Sequence, residues 1–169
     1  MSILETNRLT LNQFTAEDAP FIYTLMNDPD WLRFIGDRNI HSLDDARDFI
    51  QNRLIANYEK FGFGFYLVTR KDTGEPIGMC GLVKRDFLDD VDIGYAFLPQ
   101  ARGQGFAFEA AKAVMAYAKN VLHIPRIVAI TDVDNVRSIR LLEKLGLYLQ
   151  GQIPYPGENT AVNLFAPKA

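Results

Sequence analysis

Residues 91–107 read VDIGYAFLPQARGQGFA, and this stretch predicts how the rest of the chain is arranged. Residues 91–98 are rich in β-branched and aromatic side chains, which favours a strand. Pro99 ends the strand because it has no N–H to donate to a ladder. Gly103 and Gly105 follow, where glycine allows a sharp bend, and beyond them the apolar residues take up helical spacing. The stretch therefore predicts a strand, a tight turn and a helix in succession.

The start of that helix is a candidate phosphate-binding site. The first turn of a helix has N–H groups without internal partners, and the helix dipole adds positive potential there. A phosphate suits such a position, and Arg102 would add a positive charge. The alternative is a strand-to-helix turn that uses its glycines only for geometry. A P-loop and a dinucleotide fingerprint fit poorly, because the chain has no G-x-x-x-x-G-K-S/T string and Phe108 replaces the third glycine.

Several motifs in this order resemble one family. The string Gln100-x-x-Gly103-x-Gly105 is similar to the Q/R-x-x-G-x-G/A pyrophosphate motif of the GCN5-related N-acetyltransferase (GNAT) superfamily. ETNRL at 5–9, IGY at 93–95 and the NxxSxxLLEKLG pattern at 135–146 are similar to its RimJ/RimL-like branch. The resemblance covers nearly the whole chain.

The rest of the pattern predicts an α/β (α+β) fold with a mixed, mostly antiparallel sheet of six to seven strands and helices on both faces, as in acyl-CoA N-acyltransferases. Short turns before residue 91 predict an antiparallel meander. The apolar run 127–131 follows a crossover helix and should lie parallel to the central strand, with the two strands splaying apart where pairing stops. Other strands are predicted at 4–11, 65–69, 77–84, 147–152 and 160–165, and helices at 15–26, 42–58, 103–121 and 135–145.

Composition sets limits on function. A chain of 169 residues with 48% apolar and 23% charged residues is expected to form a single domain, 1–169. The net charge of −3 argues against nucleic-acid binding, and no apolar run is long enough to span a membrane. Cys80 is the only cysteine, which suits the cytoplasm, and in its apolar strand it is expected to be a buried hydrophobe rather than a nucleophile. No metal site is expected with one cysteine and two histidines.

The resemblance implies transfer of an acetyl group from acetyl-CoA to a primary amine, by direct attack on the thioester. It implies that main-chain groups of Phe97 and Leu98 bind the pantetheine, with the Leu98 N–H as an oxyanion donor, and that Asn135 contacts the cofactor. It also implies that a turn binds the pyrophosphate. The residues of that turn are Arg102, Gly103, Gln104, Gly105, Phe106 and Ala107.

Three residues are candidates for the chemistry. Asp92 is the leading general base, although a solvated acid at the strand end is the alternative. Asn135 is a helix N-cap by type, and the resemblance adds a cofactor contact, with Ser138 near the sulfur. Leu142 stands where many family members have a tyrosine that protonates the thiolate, so this role would pass to Ser138, to water or to no group. Tyr66 and Tyr95 are further candidates for relaying a proton.

The expected acceptor is a protein N-terminus or a small-molecule amine, and the chain is expected to act as a monomer or homodimer. Two other functions remain open. A non-catalytic acyl-CoA-binding sensor would explain Leu142 and the lack of an obvious base. A dinucleotide-dependent enzyme would need Asp132 or Asp134 as its ribose-binding acid.

Overall fold

The computed structural model describes residues 2–168, which build an eight-stranded sheet in the order β1-β2-β3-β4-β5-β6-β8-β7. The strands are β1 Ser2–Glu5, β2 Leu9–Gln13, β3 Phe65–Arg70, β4 Pro76–Val83, β5 Val91–Phe97, β6 Ile127–Thr131, β7 Leu147–Pro154 and β8 Ala161–Pro167. Neighbouring strands are antiparallel except β5 and β6, which are parallel. The predicted mixed sheet and its antiparallel meander are confirmed.

The helices are α1 Ala19–Met26, α2 Pro29–Phe34, α3 Leu43–Phe49, α4 Ala56–Phe61, α5 Phe106–Asn120 and α6 Val136–Lys144. A π-helical segment, Ile50–Ile55, joins α3 to α4 without a break. Short 3₁₀ turns lie at Ala16–Asp18 and Pro99–Ala101. Side chains cap two of the helical starts, since Thr15 Oγ1 accepts from the Glu17 N–H and Ser42 Oγ accepts from the Asp45 N–H.

Two element predictions are wrong. The single strand predicted at 4–11 is a hairpin of β1 and β2, closed by the Thr6 N–H donating to the Leu9 carbonyl. This adds a strand, so the sheet exceeds the predicted six to seven. The helix predicted to end near Tyr58 continues to Phe61, where Gly62 adopts φ +79° and ends it in the usual left-handed cap.

The sheet is covered on both faces, as predicted. Alternate residues of a strand point to opposite faces. On β3, Val68 packs in the core cluster that contains Val114 of α5, whereas Leu67 packs with Ile22 of α1 and Ile50 of the π segment. Each face therefore has its own apolar core.

The two parallel strands pair only at their beginnings. Val91 pairs with Ile127 and Asp92 with Val128, and no further pair joins β5 to β6 among the described residues. Beyond these pairs the two strands separate, as predicted. They leave an opening in the sheet between β5 and β6, and α6 follows β6 in the chain. Over residues 2–168, no helix combines the length and apolar character needed to cross a bilayer.

Candidate active site

Two cavities meet at the opening between β5 and β6. The larger has a volume of about 640 Å³ and lies between the π segment, the sheet and the loop that follows β7. The smaller, about 370 Å³, runs from the start of α5 to α6. Seven residues line both cavities: Trp31, Phe34, Ile35, Tyr95, Ala96, Asn135 and Ser138. A molecule in one cavity can therefore reach a molecule in the other across these side chains.

The first turn of α5 lies at one end of the smaller cavity. Its N-cap is Gly105 with φ +80°, and no side chain caps the helix, so the first N–H groups lack the usual partner. Gly103 also has a positive φ of +76°, and a Cβ added there would meet nothing within 4 Å. The turn thus presents open space and unpartnered donors, as expected of an anion-binding site.

Arg8 holds this turn from behind. Its Nη1 donates to the Gln104 carbonyl at 2.9 Å, and its guanidinium stacks 4.3 Å from the centre of the Phe106 ring. In a trans peptide the C=O and N–H point in opposite directions, so fixing this carbonyl turns the Gly105 N–H the other way. Glu109 fixes Arg8 in turn, accepting from its Nε at 2.7 Å and from its main-chain N–H at 2.9 Å.

Glu109 is kept ionised by this network. Desolvation would raise its pKa, but hydrogen bonds from Thr6 Oγ1 and from Arg8 outweigh it, and the pKa of Glu109 is lowered. The ETNRL motif therefore contributes Thr6 and Arg8 as supports for the start of α5. Sequence reasoning quoted this motif but gave it no role, because its contacts lie about a hundred residues away.

The guanidinium of Arg102 is bound by residues outside the turn. Its guanidinium donates to carboxylates of Asp28 and Asp30 and, at 3.1 Å, to the Phe97 carbonyl. Its own N–H donates to the Pro99 carbonyl at 3.2 Å. Arg102 therefore ties the turn to α2 in this structure, although its side chain still lines the smaller cavity.

The smaller cavity is nonetheless basic. Its acidic lining consists of Asp28 and Asp30, which Arg102 binds. Its other basic side chains all come from α6 and were missed by sequence reasoning; they are Arg137, Arg140 and Lys144. Their spacing places them on one side of a helix, which was the available signal. In a chain of net charge −3, this local excess of positive charge favours an anionic ligand.

Two predicted cofactor-binding residues lie elsewhere. The Leu98 N–H donates to the Ile77 carbonyl at 2.9 Å, so the prediction of a free oxyanion donor at Leu98 is wrong. Its side chain packs in the core with α1 and α3. Gln104 lines neither cavity, and its Nε2 donates back to the Gln100 carbonyl at 3.2 Å. Phe97 does line the smaller cavity, together with Gly103, Gly105, Phe106 and Ala107.

Asp92 lies on the wall of the larger cavity and is 1% exposed. Arg85 donates to its Oδ1 at 3.0 Å and also donates to the Tyr155 hydroxyl at 3.3 Å. Desolvation by burial raises the pKa of Asp92 to about 6, although Arg85 opposes the rise. The alternative of a solvated acid is therefore wrong, and this carboxylate can exchange a proton near neutral pH. Sequence reasoning did not pair Arg85 with Asp92, because their contact depends on how β4 and β5 pair.

Asn135 and Ser138 come together at the start of α6. Asn135 Oδ1 accepts from the Ser138 N–H at 3.3 Å, which is the predicted cap. Among residues 2–168, the Nδ2 of Asn135 has no protein acceptor, so the cap leaves it available. The Ser138 hydroxyl lies 2.7 Å from the Tyr95 hydroxyl, which connects α6 to β5 across the opening. Leu142 is 1% exposed and brings no polar group.

Trp31 adds a donor that sequence reasoning missed. Its side chain is 7% exposed and lines both cavities. Its indole N–H has no hydrogen-bond partner within the described residues, which is costly for a buried donor. Within residues 2–168, no group of three or more His, Cys, Asp or Glu side chains is arranged to hold a metal ion.

The chain is similar to known proteins in sequence and in fold. The family model described as an acetyltransferase (GNAT) domain matches residues 8–148. The uncharacterized N-acetyltransferase YoaA of Bacillus subtilis (strain 168) is 35% identical over 152 residues, covering 88% of this chain and 84% of YoaA. The solved acetyltransferase from Agrobacterium tumefaciens has a TM-score of 0.82 at 25% identity, covering 98% of this chain and 94% of that one.

A RimL-type enzyme has the same fold. The structure of a ribosomal L7/L12 α-N-protein acetyltransferase in complex with coenzyme A has a TM-score of 0.78 at 21% identity, covering 98% of this chain and 97% of that one. The chain therefore belongs to the GNAT acetyltransferase family, with RimL-type enzymes among its structural neighbours. It is an N-acetyltransferase, and the predicted family and activity are confirmed.

Proposed function

We propose that the protein transfers an acetyl group from acetyl-CoA to a primary amine, and that the two ligands meet between β5 and α6. One observation carries the proposal. The uncapped start of α5 opens into a basic cavity, which joins a second, larger cavity at the point where β5 and β6 separate. An anionic acyl donor in one cavity and an amine in the other can then approach each other across the shared lining.

The residues present fit acetyl-CoA. The N–H groups at Gly103, Gly105, Phe106 and Ala107 would bind the pyrophosphate, since no side chain caps the helix there. Positive charges on α6 suit the other phosphate groups of so anionic a molecule. The main chain near Phe97 would lie along the pantetheine. The acetyl donor supplies the thioester that the amine attacks.

Asp92 acts as general base in this proposal. An amine must lose a proton to form the new C–N bond, and a base is most effective when its pKa lies near the working pH. A buried carboxylate with a pKa of about 6 meets this condition. Arg85 orients the carboxylate through its Nε–H, while the carboxylate takes the proton, directly or through one water molecule.

Asn135 and Ser138 act on the cofactor in this proposal. Both side chains line both cavities, so a group passing from one ligand to the other passes beside them. Ser138 would place its hydroxyl against the negative charge that collects on sulfur, and the Asn135 Nδ2 would hold the cofactor amide groups. The direct attack places no acetyl group on the protein.

The substitution Gly103→Asp tests the pyrophosphate site. A carboxylate here would repel the diphosphate, so acetyl-CoA affinity by calorimetry should fall by about 100-fold or more. Gly74→Asp is the matched control, because Gly74 has φ +74° and equally open surroundings but lies in the β3–β4 turn. It should carry the same backbone strain and bind normally. Equal affinity in both variants would contradict the pyrophosphate site.

Turnover separates an enzyme from an acyl-CoA sensor. Purified protein is mixed with acetyl-CoA and a panel of amines: spermidine, free amino acids and short peptides with a free N-terminus. Thiol release with at least one of them supports the transferase. Tight acetyl-CoA binding without thiol release across the panel would support the sensor instead.

A further inference from the structure

The hydroxyl side chains that line both cavities within residues 2–168 are Tyr95 and Ser138. The Tyr95 hydroxyl lies 2.7 Å from Ser138 Oγ and 3.3 Å from the Ser138 carbonyl. Tyr95 is on β5 and Ser138 on α6, so this pair spans the opening at the place where the two ligands would meet. The proposed function gives Tyr95 no role.

We propose that Tyr95 is a positioning residue: its O–H donates to Ser138 Oγ and thereby leaves the Ser138 proton free to face the departing sulfur. The proposal rests on the proposed function. A tyrosine has one proton, and the shorter of its two contacts is the one to Oγ. If Ser138 donated to Tyr95 instead, its proton would be tied to the phenol and unavailable to sulfur.

The surroundings keep Tyr95 a donor. Burial raises the pKa of Tyr95, which holds the phenol in its protonated form at any working pH. The position one turn along α6 is Leu142, which has no proton to give. The hydroxyl pair therefore stabilises the charge on sulfur with groups from two elements. No covalent bond of Tyr95 or Ser138 forms or breaks in this role, since Ser138 only holds a hydrogen bond to the charge on sulfur and Tyr95 only holds one to Ser138 Oγ.

The thiol of bound CoA reports this directly, without any acceptor. The absorbance of the thiolate gives the pKa of the thiol in a complex with excess protein. The wild type should lower this pKa by about one unit relative to free CoA, because Ser138 donates to the charged form. Ser138→Ala should abolish the shift, and Tyr95→Phe should remove most of it. The double variant should lose no more than Ser138→Ala alone.

The effect of Tyr95→Phe on the thiol pKa, measured with and without the Ser138 hydroxyl, tests whether Tyr95 acts through Ser138. If Tyr95 acts through Ser138, then Tyr95→Phe has no effect in the Ser138→Ala background. An equal effect in both backgrounds, or no effect in the wild-type background, would overturn the proposal. Tyr155→Phe is the matched control, because this hydroxyl lines only the larger cavity and contacts Arg85. Its thiol pKa should match the wild type.

Binding controls separate this proposal from the proposed function. All variants should bind CoA with affinity close to that of the wild type and melt within a few degrees of it, because each removes only a hydroxyl. Failure of the wild type to bind CoA would refute the proposed function and this inference with it. Normal binding without a pKa shift in the wild type would overturn this inference alone.

Discussion

Asp92 illustrates how burial prepares a single residue for chemistry. Asp90, two residues earlier, is 37% exposed in its pair with Arg126, whereas Asp92 is 1% exposed and paired with Arg85. Burial raises the pKa of Asp92 to about 6. The identity of Asp92 as the candidate base was predicted from its position in the strand. Its burial could not be predicted because it depends on tertiary packing, and its pairing with Arg85, seven residues earlier, depends on how the β4–β5 connection folds.

We predict that Asp92→Asn removes the acidic limb of the pH–rate profile. In the wild type, kcat/KM should rise with pH through about 6, as the carboxylate loses its proton. The variant should lose roughly 10²–10⁴-fold in kcat/KM and its rate should no longer follow that ionisation. Asp90→Asn is the control and should keep the wild-type profile. A wild-type limb near 6 that survives in Asp92→Asn would contradict the assignment.

The same ionisation affects stability, and the effect of pH is opposite in sign to that of an acid whose pKa is lowered on folding. Between the ordinary value of 3.8 and about 6, the native state holds more protons at Asp92 than the unfolded state. The free energy of unfolding should therefore fall as pH rises through this window. Urea denaturation at several pH values should show a weaker fall in Asp92→Asn, and an unchanged slope would argue against the raised pKa.

Trp31 is the chain's single tryptophan and so reports on its own surroundings. Its N–H lacks a protein acceptor within the described residues, and its side chain lines both cavities. We predict that saturating CoA shifts the intrinsic emission to longer wavelength, because the excited indole is stabilised by a new hydrogen bond. The Trp31→Phe variant gives the background signal that the tyrosines and the cofactor contribute to the emission. Unchanged emission at saturation would mean that Trp31 does not contact the ligand.

At the scale of elements, the start of α5 depends on a segment from the other end of the chain. The glycine turn was predicted from local spacing, because left-handed backbone at Gly103 and Gly105 leaves a signature in the sequence. The support from Arg8 and Glu109 has no such signature. The β1–β2 hairpin that carries Arg8 was predicted as one strand, since apolar residues on both sides of the polar turn kept the alternation.

We predict that Arg8→Met weakens CoA binding by about tenfold, the equivalent of 1.4 kcal/mol. The substitution keeps an apolar contact with Phe106 but releases the Gln104 carbonyl, so the Gly105 N–H loses its fixed direction. Arg70→Met is the matched control. Arg70 also stacks on Phe106, at 5.1 Å, but its guanidinium binds Asp72 on the surface. Equal losses of CoA affinity in the two variants, measured by calorimetry, would show that Arg8 contributes only packing against Phe106.

At the scale of the whole molecule, the parallel contact between β5 and β6 determines where chemistry can occur. The splaying of these strands followed from the predicted crossover and was confirmed. The sequence did not predict that β8 pairs with β6 or that β7 pairs with β8 at the edge. Alternation of apolar residues predicts a strand but does not specify which strand it pairs with. The π segment beside the larger cavity also escaped prediction, since its residues keep helical spacing.

Two cavities joined by an opening predict that acetyl transfer needs both ligands at once. We therefore expect no acetyl group on the protein after incubation with acetyl-CoA alone. Cys80, the one thiol, is completely buried, and desolvation raises its pKa, which keeps it a poor nucleophile. Intact mass spectrometry should find the unmodified chain, and Cys80→Ala should retain activity. A mass gain of one acetyl group that Cys80→Ala abolishes would show a covalent route instead.

The central claim is that main-chain N–H groups at the start of α5 bind the diphosphate of CoA. Amide NMR tests it most directly in a titration of labelled protein with CoA and, separately, with pantetheine, which lacks the diphosphate. CoA should shift the amide resonances of residues 103–107 strongly, and pantetheine should leave them in place. Saturation by CoA with those resonances unmoved would contradict the account.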